Sequence, residues 1–185
     1  KVIFVHIPKN AGNGFTKSVF GQTTKGHNYL VYYKKNNPEK YREYFKFTLL
    51  RGVHPRFYSA YSYLKKGGFG VYDQEFCEEF IGTLSFEAFV IKMYSNKNYR
   101  RKVMSWTHFI PQSRFLYVDA RNEFDFVGSV EKMSESINRI GSELGIKNLS
   151  NVIDNASSPP DDWERHYNEN TMSMVSEMYS DDIEL

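Results

Sequence analysis

Only one cysteine, Cys77, occurs in 185 residues, which excludes an internal disulfide and any Cys-rich zinc centre. A single thiol fits a reducing compartment and fits equally an excerpt of a secreted protein. There is no run of about 18 apolar residues and no signal-peptide pattern, so no helical membrane span is expected in this chain. The chain opens on KVIFV without a methionine, which reads as a trimmed start that leaves upstream targeting residues open. Charge of one sign is missing as well. With 24 Lys+Arg against 22 Asp+Glu the net charge is +2, so neither nucleic acid nor an acidic membrane is an expected partner, and any basic site must be local. No cluster of His, Cys and carboxylates has metal-ligand spacing, and no metal is expected. The phosphate-loop template G-x-x-x-x-G-K-S/T and the dinucleotide template G-x-G-x-x-G are both absent, which disfavours a kinase and a dehydrogenase.

Present instead is enough chain for one domain over residues 1–185, with no break in composition. Aromatic residues make up 17% of it, mostly as expected core; the Tyr-rich stretch YLVYYKK is a candidate groove for sugars or planar ligands. KVIFV and FKFTLL read as short buried strands, each running through a turn into a helix, FTKSVFG after the first and a segment with Pro55 in its first turn after the second. A short helix is expected after Pro38, and SFEAFVIKMYSN reads as a serine-capped helix. SRFLYVDARNEFDFVGSV suggests one or two strands. Met133, Ile137, Ile140 and Leu144 form one face of a helix that stops near Gly145, NASSPPDDW reads as a surface loop, and the C-terminal stretch as a last helix. Strands alternating with helices give an α/β class: a P-loop-like three-layer sandwich with a central, mostly parallel sheet flanked by helices.

The stretch FVHIPKNAGNGF passes from strand to glycine-punctuated turn to helix. Backbone N–H groups and the positive helix end would form an anion site there, Lys9 adding a full charge, while Gly12 and Gly14 would permit close approach or positive φ. An ordinary turn with a surface lysine is the equal alternative. The second strand ends at Arg51, with Ser59 in the following helix; a guanidinium fork and a hydroxyl suit a terminal phosphate, although an ion pair and a helix serine bonded backward would be unremarkable.

Together these segments resemble the carbohydrate sulfotransferase family. FVHIPKNAGNGF is similar to its HIPKTAGTS opening and LLRGVHPRFYSAYSYL to its RDPxERFxSAYxY segment. WTHFIPQSRFL resembles its H-x-x-PQ stretch, FDFVGSVEKM its FVGRxExL, and the NAS and MYSDDIEL segments follow in order. The resemblance implies a sulfuryl donor, 3′-phosphoadenosine 5′-phosphosulfate (PAPS), with the 5′-phosphosulfate on Lys9, Asn10, Ala11, Gly12, Asn13, Gly14, Phe15 and Thr16, and the 3′-phosphate on Arg51 and Ser59. The acceptor would be a hydroxyl of a carbohydrate or glycoconjugate. Where the family has hydroxyls in the opening loop this chain has Asn10, Asn13 and Gly14, so the asparagine amides or Thr16 would have to donate instead, and Gly52 replaces an aspartate after the arginine.

Sulfuryl transfer relies on positioning and charge stabilisation, by analogy with phosphoryl transfer, and Lys9 is the expected stabiliser of the leaving phosphate. His27, in a GH that supplies the general base in some family members, is the expected base, since imidazole titrates near neutrality. His108, Gln112 and Arg114 are candidate acceptor contacts, and Arg56 a surface charge or a nucleotide contact. His6 is expected to pack at the strand end and Glu131 to be structural. Two other readings stand beside the enzyme: a PAPS-binding module without turnover, and a nucleotide-dependent phosphotransferase. The expected location is the cytoplasm, or the Golgi lumen if the chain is an excerpt of a eukaryotic membrane-anchored enzyme.

Overall fold

A computed structural model describes residues 1–22, 26–119, 121–146 and 162–185; most of the expected loop at 155–163 lies outside them. The chain opens with β1 (Val2–Val5), α1 (Gly12–Phe20), the short helices α2 (Leu30–Asn36) and α3 (Pro38–Glu43), and β2 (Phe45–Leu50). It continues with α4 (Val53–Lys65), α5 (Val71–Phe76) running into a π-helical turn at Cys77–Ile81, α6 (Phe86–Ser95) and α7 (Lys97–Met104). Next come the one-turn helix α8 (Ser113–Leu116), the two-residue strands β3 (Tyr117–Val118) and β4 (Arg121–Asn122), β5 (Phe126–Ser129) and α9 (Met133–Leu144). A 3-10 turn at Trp163–His166, α10 (Glu169–Met178) and α11 (Ser180–Ile183) close the described chain. Contacts group these elements into two compact units, Lys1–Arg51 with Gln112–Pro159, and Gly52–Pro111 with Pro160–Leu185.

The first unit holds the expected parallel sheet, in the order β1-β2-β5, with Phe4 beside Phe47 and Phe47 beside Phe126. Side chains alternate along a strand, so Phe45, Phe47 and Leu49 share one face of β2. That face is covered by Phe15 of α1 and by Ile137 and Ile140 of α9, all buried. Gly128 in β5 has a steric reason: a Cβ there would stand 2.8 Å from both Leu49 Cδ2 and Ser136 Oγ. Ser136 in turn accepts from the Ser129 N–H at 2.9 Å and donates to its carbonyl at 3.0 Å, which docks α9 on the end of β5.

The second unit is helical. Its core gathers Phe57, Ala60 and Leu64 of α4, spaced to one helix face, with Phe76, Phe86, Phe89, Met93 and Phe109. α6 starts as expected at Ser85, whose hydroxyl accepts from the Ala88 N–H at 3.2 Å. α10 starts with a capping box between Asn168 and Thr171.

Several stretches take a form the sequence left open. The Tyr-rich stretch forms α2, with Leu30 buried and Tyr32 exposed. Of SRFLYVDARNEFDFVGSV only Phe126–Ser129 joins the parallel sheet; its first half makes α8 and a minimal hairpin. The helices at Val71–Phe76 and Lys97–Met104 carry so many charged residues among their aromatics that no apolar stripe announces them.

Candidate active site

β1 ends at Val5 and the chain turns through His6–Ala11 into α1. Two non-glycine residues of that turn are left-handed, Lys9 with φ of 70° and Ala11 with φ of 58°. Each such residue costs about 1–2 kcal/mol, so something must hold the turn. Asn10, between them, does so. It is fully buried, and its amide nitrogen donates to the Leu49 carbonyl at 2.7 Å and to Gln112 Oε1 at 2.6 Å. The positive φ expected of glycine therefore falls on Lys9 and Ala11. Gly12 serves close approach instead: a Cβ there would lie 2.0 Å from the His6 ring. The first amides of α1, at Gly12, Asn13 and Gly14, have no acceptor within their own helix, as at any helix start.

The tip of β2 lies beside this turn. Thr48 of β2 donates its hydroxyl to the Val5 carbonyl at 2.8 Å. One residue past β2, Arg51 donates from Nη1 to the Lys9 carbonyl at 3.3 Å. Its backbone is clamped by one side chain: the Arg51 N–H donates to Gln112 Oε1 at 3.0 Å, and Gln112 Nε2 donates to the Arg51 carbonyl at 2.8 Å. Gln112, 1% exposed, thus ties both strand tips together through Arg51 and Asn10.

His27 is the third component. Its Nδ1 is 2.9 Å from the His6 carbonyl, and its ring centroid is 4.5 Å from that of His6. A carbonyl only accepts, so neutral His27 carries its proton on Nδ1 and its lone pair on Nε2. His6 is kept neutral by burial and, secondarily, by His27, which together bring its pKa down to about 3. The contacts run in sequence: the first residue of α1 against His6, and His6 against His27.

A family model for the sulfotransferase family matches residues 1–185, the whole chain. The chain belongs to the sulfotransferase family. It is accordingly a transferase that moves a sulfuryl group to an acceptor. No curated protein and no solved structure matches it.

Within this sulfotransferase the expected contacts divide into two groups. Lys9, Ala11, Gly12, Asn13, Gly14, Arg51 and His27 belong to the two adjoining strand tips or to the histidine pair beside them. Asn10, Phe15 and Thr16 turn inward: Asn10 is spent on Leu49 and Gln112, Phe15 packs between the sheet and α9, and the buried Thr16 hydroxyl donates to the Gly12 carbonyl at 2.8 Å. Their side chains therefore do not supply the hydroxyl or amide donors expected of them for a donor anion. Gln112 is likewise a clamp by its geometry, and Arg114 is exposed on α8.

Ser59 and His108 belong to the second unit. Ser59 is half-buried on α4, where neighbouring Arg56 is buried and donates to the Ile110 carbonyl at 2.8 Å. His108 lies 3.4 Å from Asp73 and packs edge-on to Tyr63. Sequence reasoning missed the tight His6–Gly12 contact and the Gln112 clamp. Both were marked only by the resemblance of their segments, because contacts across 6 and 61 positions have no local pattern. Among the described residues no group of three or more His, Cys, Asp or Glu could hold a metal ion, and no helix is long and apolar enough to cross a membrane.

Proposed function

We propose that residues 1–185 form one catalytic domain that transfers the sulfuryl group of PAPS to a hydroxyl of a carbohydrate or glycoconjugate. Lys9 and the first amides of α1 hold the 5′-phosphosulfate, Arg51 holds the 3′-phosphate, and His27 is the general base. In the transfer the acceptor oxygen bonds to sulfur as the bond from sulfur to the bridging oxygen breaks. The electron pair leaves with the nucleotide phosphate, where Lys9 offsets the developing charge, and the acceptor proton passes to His27 Nε2. The protein supplies position and charge; no covalent intermediate on the protein is involved.

The observation that carries this reading is the junction of the two strand tips, with the Arg51 guanidinium 3.3 Å from the Lys9 carbonyl. Two adjoining strand tips, one carrying Lys9 and the other Arg51, suit a nucleotide bearing phosphates at both ends. Isothermal titration with 3′-phosphoadenosine 5′-phosphate (PAP) and with ATP is the test: PAP is expected to bind more tightly, and a preference for ATP overturns the reading.

A second reading, a PAPS-binding module without turnover, draws on the inward-facing Thr16 hydroxyl and on a loop that lacks the family's other hydroxyls. Transfer from radiolabelled PAPS to a panel of polysaccharides separates the two. The enzyme reading requires transfer that falls at least about a hundredfold in His27→Ala, the scale of a lost general base.

A further inference from the structure

The second unit contains a cavity of about 350 Å³ between α5 with its π-helical turn and the C-terminal end of α7, within the size range of small-ligand pockets. Tyr72, Glu75, Phe76, Glu79 and Phe80 line one wall, at the i, i+3/i+4, i+7/i+8 spacing of a single helical face. Lys102, Ser105 and Trp106 line the other at the same spacing. The first wall passes from α5 into the π-helical turn, closed by the Gly82 N–H on the Cys77 carbonyl at 2.6 Å. Such turns cost regular hydrogen bonding and are retained most often at functional sites.

The chemistry of the walls is specific. Phe76 is sandwiched between Phe80 and Trp106, with both ring centroids 4.8 Å away, which makes a rigid three-ring stack. Tyr72, 77% exposed, adds a ring that has no such packing. Two exposed carboxylates, Glu75 and Glu79, stand one turn apart on this wall, and Lys102 lines the other, where the Ser105 hydroxyl donates to the Lys102 carbonyl at 2.6 Å. The Trp106 indole N–H is shut off from solvent and has no acceptor among the described residues.

We propose that this cavity binds one neutral pyranose ring, its C–H face against the exposed Tyr72 ring beside the aromatic stack and its hydroxyls on Glu75, Glu79 and Lys102. Carboxylates accept from paired hydroxyls, and aromatic faces suit the apolar side of a sugar. Two carboxylates against one ammonium leave a net negative rim, which selects against uronic or sulfated rings. The inference rests on the reading of the acceptor as a carbohydrate, and it names which kind of ring the protein holds.

Trp106 is one of only two tryptophans, so the Trp163→Phe variant makes it the sole indole reporter. Methyl glycosides of neutral hexoses are titrated against that variant, with methyl glucuronide as the anionic control and saturation-transfer NMR on the parent chain as a readout that needs no substitution. Saturable change with a neutral glycoside is expected, weakened about tenfold by Glu79→Gln, the loss of one hydrogen bond to a charged group, and about fivefold by Tyr72→Ala. Both substituted side chains are exposed, so folding is retained. No response to any neutral glycoside, an equal response to the glucuronide, or indifference to both substitutions overturns the subsite. PAP titration of the same samples distinguishes failures: PAP binding without a sugar response removes the subsite alone, and absent PAP binding removes the sulfotransferase donor reading while a selective sugar response keeps the subsite.

Discussion

His6 illustrates how a single side chain links packing to pH. Its ring occupies the space a Cβ of Gly12 would need, and burial there, reinforced by His27, depresses its pKa to about 3. The unfolded chain binds a proton at this residue below about pH 6.5, whereas the folded chain does so only near pH 3. Stability from this group is therefore complete above pH 6.5 and lost as pH falls between those values, at up to about 1.4 kcal/mol per pH unit. Urea denaturation at pH 7 and pH 5 should show the parent losing about 2 kcal/mol more than a His6→Asn variant. Equal acid sensitivity would mean that His6 is not held neutral. Lys9 acts at the same scale on the reaction. Lys9→Ala should lower kcat by about 100- to 1,000-fold, as for other lost charge-stabilising donors, with a smaller change in PAP affinity. Equal losses in turnover and binding would contradict its place at the leaving phosphate.

At the scale of elements, the candidate site is a joint between two strand tips held by polar side chains. Gln112 and Asn10 supply hydrogen bonds to Leu49 and to each other in a buried setting, and Gln112 supplies two more to the partly buried Arg51 backbone. Gln112→Ala strips the Arg51 N–H and carbonyl and one acceptor of Asn10 at once. A buried group left without a partner costs about 1–3 kcal/mol; because the two Arg51 groups are only partly buried and Asn10 keeps the Leu49 carbonyl, a total loss of about 2–4 kcal/mol is expected by urea denaturation. PAP affinity should fall with it, because Arg51 loses its anchor. Normal PAP binding by a destabilised variant would show that the clamp serves stability only. The helix starts are more local: the capping box at Asn168 and the Ser85 cap need only neighbours three residues away.

For the molecule as a whole, the two compact units raise the question of whether they unfold together. Both tryptophans, Trp106 and Trp163, lie in the second unit, whereas Lys9, Arg51 and His27 lie in the first. A ligand at 100 times its dissociation constant raises the unfolding free energy by about 2.7 kcal/mol. If residues 1–185 are one cooperative domain, saturating PAP should raise the tryptophan-monitored transition and the far-ultraviolet circular dichroism transition together. A shift in the second signal alone would mean that the units unfold independently.

The sequence by itself determined the class and the order of elements. Alternating short apolar strands and helices, each bounded by turn residues within a few positions, are local patterns, and Lys9, Arg51 and His27 were marked by segments whose order matches the family. It did not reveal α2, α5 or α7, whose charged and aromatic residues carry no clean apolar stripe. Tertiary structure alone decided which residues of the opening loop face inward. Asn10 and Thr16 look like ligand donors in the sequence, yet in the fold the buried Asn10 amide nitrogen donates to the Leu49 carbonyl and Gln112, and the buried Thr16 hydroxyl to the Gly12 carbonyl. Tertiary structure likewise put the His6 ring where Gly12 has no side chain and Gln112 on the Arg51 backbone, since contacts across the chain depend on how strands and helices pack and leave no trace in local spacing.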